Sequence, residues 1–94
     1  MSKKTDDLNG ERARTHGDFA ETAALAQMFK DVARRSKNWA LLPFFLREAV
    51  DEQLFGLACM LTGDFAFPDH LNDMIRVLAL ARKILARERK QKKP

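Results

Sequence analysis

The sequence predicts an all-α protein, a three-helix subunit that assembles into a homo-oligomeric helical bundle. Apolar residues recur at helical spacing in three separate stretches. No run of alternating β-branched residues is present from which a sheet could be built. The middle stretch is apolar around well over half of its circumference, whereas a helix on the outside of a three-helix monomer needs a stripe of only roughly a third of the circle. Such a helix needs neighbours beyond its own subunit, and the simplest supply is a second copy of the chain.

In chain order, residues 1–10 hold too little apolar content to offset the entropy of ordering them and are predicted to be a mobile arm. A single domain should follow over residues 11–85. Asp18 with Glu21 three residues later fits a helix start, the Asp18 carboxylate accepting from first-turn amides. Phe19, Ala23, Ala26, Phe29 with Lys30, and Ala33 then mark a helix over about residues 19–35. Ser36 to Leu42 is the connection, anchored by Trp39, and Pro43 suits the first turn of the next helix because its missing N–H has no partner there.

The second helix spans about residues 44–61 and carries Phe45, Leu46, Ala49, Val50, Leu54, Leu57, Ala58, Met60 and Leu61. Thr62-Gly63-Asp64 should close it through a left-handed Gly63, and Pro68-Asp69 should open the third helix with Asp69 as N-cap. Leu71, Met74, Ile75, Leu78, Ala81 and Leu85 form its main stripe, with Val77, Leu80 and Ile84 as a second. It should then fray into a basic tail, residues 86–94.

A length of 94 residues with 46% hydrophobic and 32% charged content suits one ordinary domain. Apolar runs are too short for a membrane span and the first fifteen residues are polar, so the chain is expected in the cytoplasm with no membrane partner. Cys59, the single cysteine, excludes an intrachain disulfide and Cys-rich zinc spacing. Charge is spread unevenly: residues 82–94 carry seven Lys/Arg and one Glu, while residues 1–81 are slightly acidic. The tail lacks the aromatic interleaving and helix-turn-helix spacing of a nucleic-acid reader, which leaves nucleic acid well behind other partners.

Between Pro43 and Ile75 six carboxylates face one basic residue, Arg47. Glu48 and Glu52 lie one helical turn apart, and Asp69 and Asp73 repeat that spacing on the third helix. A short connection makes the two helices antiparallel and sets Glu52 a turn or two from Asp73. Carboxylates converging from neighbouring helices hold Mg²⁺, which takes one or two protein oxygens and leaves its other positions to water and substrate phosphates. Each acid also has an ordinary helical role, as a cap or a first-half acid favoured by the helix dipole. His70 reads as a solvated helix-start residue. Arg12, Arg14, His16 and the helix start at Asp18 together could face phosphate, although a capped helix with a Gly turn is the simpler reading.

The order Glu11-Arg12, Thr15-His16-Gly17-Asp18-Phe19, Asn38-Trp39, Arg47-Glu48-Ala49-Val50-Asp51, Leu61-Thr62-Gly63-Asp64 and Pro68-Asp69-His70 through Asn72-Asp73 resembles a family of small phage and prophage proteins of unknown function. That family is itself similar to the MazG-like, all-α nucleoside triphosphate pyrophosphatases. The resemblance runs over residues 11 to about 81. It implies a MazG-like bundle, a homodimer or tetramer, a Mg²⁺ cofactor and a nucleotide ligand in the host cytoplasm. Glu48, Asp51 and Asp73 match the family's acids and His16 its opening; with Glu52, one turn from Glu48, these acids would be the metal set, Glu48 and Glu52 the water-activating pair, and Arg12, His16 and Arg76 would lie near phosphate. Where the family has Lys and Arg on the second helix this chain has Gly56 and Cys59; where it has Trp, Leu71; and where it has Gly-Tyr, Arg76 and Val77. The alternative is a non-catalytic phage interaction module that docks on a host or phage protein through Phe44, Phe45, Phe65 and Phe67.

Overall fold

Capping and helical periodicity place three helices close to their expected bounds. The computed structural model describes residues 14–92, in which α1 (Phe19–Arg34), a 3-10 turn (Trp39–Leu41), α2 (Phe44–Thr62) and α3 (Pro68–Lys92) follow one another. No strand occurs among the described residues. The predicted arm and Arg12 lie outside them.

Asp18 caps α1, its carboxylate accepting from Glu21 N at 3.3 Å. Pro43 is the N-cap residue of α2 in extended conformation, with the helix starting at Phe44. α2 is the central element, packing on α1 along one side and on α3 along another. Its buried positions are Ala49, Ala58 and Cys59, and the rest of the core is Ala26 and Ala81 with Thr22 and His70. Small side chains therefore let the three helices approach closely. No large hydrophobic residue among those described is fully buried.

Four expectations are corrected. Gly63 is not left-handed, with φ −117° and ψ −150°; the positive φ belongs to Gly17, at 86°. Gly63 is needed for a close approach instead, since a Cβ there would stand 2.5 Å from Gly17 N and 2.7 Å from the His16 carbonyl carbon. Asp69 is not the cap of α3, because the helix already begins at Pro68, whose missing N–H suits the first helical position. α3 does not fray near Leu85 but continues to Lys92.

The fourth correction concerns which faces are buried. α3 packs through His70, Met74, Val77 and Ala81, while Leu71, Ile75 and Leu78 of the expected main stripe remain exposed. The packed line runs between the two expected stripes, taking Met74 and Ala81 from the main one and Val77 from the second, while Leu80 of the second is exposed. Gly56 sets this line: a Cβ there would lie 2.9 Å from Met74 Cγ, so the bare backbone of α2 admits Met74. On α1, Phe19 is likewise exposed, and Thr22 and Ala26 take the buried line.

Candidate functional site

Two constructions meet between the helices. The first is a polar joint made from segments far apart in sequence. The Thr15 carbonyl accepts from Asp64 N at 3.0 Å and from His70 Nε2 at 2.8 Å, which fixes the His70 proton on Nε2. The Thr22 and Thr62 hydroxyls meet at 2.7 Å, one donating to the other, and the hydroxyl that accepts donates in turn to its own carbonyl, that of His16 (3.1 Å from Thr22) or of Ala58 (2.8 Å from Thr62). Gly17 is buried between them, where a Cβ would come within 2.7 Å of Thr62 Cβ and 2.8 Å of Thr22 Oγ1. The rings of His16, Phe67 and His70 pack edge-on to one another with centroids 4.9 to 5.4 Å apart. His70 is only 4% exposed, which corrects the expected solvated helix-start residue.

The second construction is a cavity of about 390 Å³ that opens between α2 and α3 and is bounded by α1 and the joint. Glu48, Asp51 and Glu52 enter it from α2, Asp73 and Arg76 from α3, Lys30 from α1 and His16 from the joint. All the expected site residues within the described range thus share one cavity. Helical spacing brings this about, because positions 48, 52, 55 and 59 run along a single side of α2 and positions 73 and 76 flank the line of α3 that packs on it. The volume falls within the range of small-molecule sites.

Within that wall the residues differ in what they are free to do. Both Asp51 oxygens are engaged by Arg34, at 3.2 Å to Nη1 and 2.9 Å to Nη2. The same guanidinium lies over the Trp39 ring at 4.8 Å and donates to the Lys30 carbonyl at 3.1 Å. Asp51 is therefore a tie between α1 and α2. His16 Nδ1 stands 2.7 Å from the Thr15 hydroxyl, and its ring is fixed between Phe67 and His70. Glu48, Glu52, Asp73 and Arg76 are exposed at the cavity.

Among the described residues no three His, Cys, Asp or Glu side chains are placed so as to hold a metal ion. A cation taken here would rest on one or two carboxylates with the ligand's own oxygens completing its shell, a pattern that suits Mg²⁺ and not a protein-only cage. Gly56 and Cys59 face the same cavity, and Gly56 is occupied by its approach to Met74. Lys30 and Arg76 are the cations that line it.

Sequence reasoning missed Lys30, Gln53 and His70 as cavity residues. Lys30 had a signal, a cation standing on an otherwise apolar stripe. Gln53 had none: its Nε2 donates to the Met74 carbonyl at 3.3 Å, and its Oε1 is buried without a hydrogen-bond partner. Such an orphaned acceptor costs of the order of 1–3 kcal/mol and marks a weak point in the α2–α3 contact.

The fold and cavity define a small all-helical protein with an acidic, cation-flanked cleft. Comparison with protein families, with curated proteins and with solved structures returns no match. No helix among the described residues is long and apolar enough to cross a membrane.

Proposed function

We infer that the chain is a MazG-like, homo-oligomeric nucleotide-binding protein of phage type that takes its ligand with Mg²⁺ in the α2–α3 cavity. One observation carries this: Glu48, Glu52 and Asp73, separated by up to 25 positions in sequence, line one small-molecule-sized cavity together with Lys30 and Arg76. Carboxylates beside cations in one cleft suit a polyphosphate and its metal, since the ion neutralises phosphate charge and the cations meet the remaining oxygens. Bound there, Mg²⁺ would polarise a phosphoanhydride and lower the charge opposing attack by water. Glu48 and Glu52 would hold or orient that water, Asp73 would share the metal, and Arg76 and Lys30 would contact phosphate. Asp51 stays with Arg34 and His16 positions the cavity end, so both are supports of the site. Glycine and cysteine at the two cation positions make it a degenerate version of a pyrophosphatase site.

Calorimetric titration with Mg²⁺ and a panel of nucleoside triphosphates tests the reading. One ligand per chain is expected in the presence of Mg²⁺, with binding lost in the Glu52→Gln, Asp73→Asn double variant. Absence of binding by the native chain would remove the nucleotide. The second reading, a non-catalytic module that docks on a host or phage protein, would then stand on the exposure of Phe44 and Phe65 at the surface.

A further inference from the structure

Six of the twelve large hydrophobic side chains exposed among the described residues lie on the side away from the cavity. At 100° per residue, Leu57 and Leu61 fall on the arc of α2 opposite Glu48, Phe55 and Cys59, which line the cavity. Leu46 and Val50 continue that arc half-buried, and it carries no charged residue. The Gly56–Met74 approach sets Leu71, Ile75 and Leu78 of α3 level with it, rotated past the packed line away from Asp73 and Arg76. Val32 of α1 borders it on the other flank. These six side chains are 40 to 68% exposed.

We propose that this back face of α2 and α3 is where a second copy of the chain docks, so that two subunits pair back to back with a complete cavity facing outward on each. Six side chains exposing on the order of 100 Å² apiece, with half-buried Leu46 and Val50 beneath them, approach the roughly 800 Å² per partner of a standard interface. The uncharged strip of α2 from Leu46 to Leu61, about 22 Å long, complements a copy of itself across a two-fold axis, with exposed Arg82 closing the α3 line at the rim. Covering the back of α2 turns a single layer of helices into two.

The assignment of the face extends the homo-oligomeric part of the proposed function and is independent of the nucleotide. Light scattering and sedimentation of the full chain at tens of micromolar should give a dimer. The Leu61→Glu, Ile75→Glu pair should sediment as a folded monomer, since both positions are already more than 60% exposed in the subunit; circular dichroism checks the fold. Phe44→Glu, equally exposed but on the arc of α2 that carries Asp51, should leave the dimer intact. A native monomer would overturn the proposal. A dimer that survives Leu61→Glu, Ile75→Glu, or that Phe44→Glu splits, would overturn the choice of face. Nucleotide titration of the monomeric variant separates this result from the proposed function, because each cavity is built within one chain.

Discussion

The polar joint and the cavity wall sit side by side and are built on opposite principles. In the joint, Thr15, Gly17, Thr22, Thr62, Gly63 and His70 are buried or half-buried, and backbone carbonyls and hydroxyls are shared among them. Along the wall, Glu48, Glu52, Asp73 and Arg76 reach toward solvent from regular helix positions. The Thr-His-Gly-Asp and Thr-Gly-Asp segments, the most distinctive stretches of the sequence, serve mainly to tie the chain before α1 to the α2–α3 connection. The residues suited to chemistry are the unremarkable helix acids. A motif can mark a place where the backbone has no alternative as readily as a place where a reaction occurs.

The sharpest way to break this division is Gly17→Ala. The substitution forces a β-carbon into a left-handed backbone, at a cost of roughly 1–2 kcal/mol, and presses it against Thr62 and Thr22 in a packed site, which adds about 1–3 kcal/mol. Denaturant unfolding should show a loss of about 2–5 kcal/mol. A change below 1 kcal/mol would mean that the joint is loose and that its residues are held for another reason.

How much of this was legible in the sequence follows from the range of each interaction. Helix bounds depend on local signals such as the Asp18 cap and Pro68 at a first turn, and these were readable. Gly56 and Met74, 18 positions apart, choose the buried stripe of α3, and no local pattern distinguishes that stripe from Leu71, Ile75 and Leu78. The carboxylates of the cavity could be placed together because antiparallel geometry follows from a short connection. Asp51 could not be separated from them, because its partner Arg34 lies on another helix and the pairing depends on how α1 crosses α2.

That pair gives the intermediate test. If Asp51 is a tie and not a metal ligand, Arg34→Ala and Asp51→Asn should each lower stability by about 0.5–1 kcal/mol, the range of a partly exposed ion pair. In a double-mutant cycle the two losses should be non-additive. Mg²⁺ and nucleotide titration of Asp51→Asn should match the native chain. Loss of ligand binding with unchanged stability would return Asp51 to the metal set and move the boundary between support and chemistry.

The smallest effect is expected at the wall itself, and its smallness is informative. Asp73 is exposed and lies beyond the first turn of α3, so it gains little from the helix start, and Asp73→Asn should change the stability of the ligand-free chain by no more than about 0.5 kcal/mol. With Mg²⁺ and a nucleoside triphosphate at a hundred times the dissociation constant, the native chain should gain about 2.7 kcal/mol by mass action. Asp73→Asn should gain far less. Thermal unfolding with and without ligand reads both quantities from one pair of proteins. Equal ligand-induced shifts in the two chains would show that Asp73 takes no part in binding, while a large loss in the ligand-free variant would place Asp73 with the joint as a structural residue.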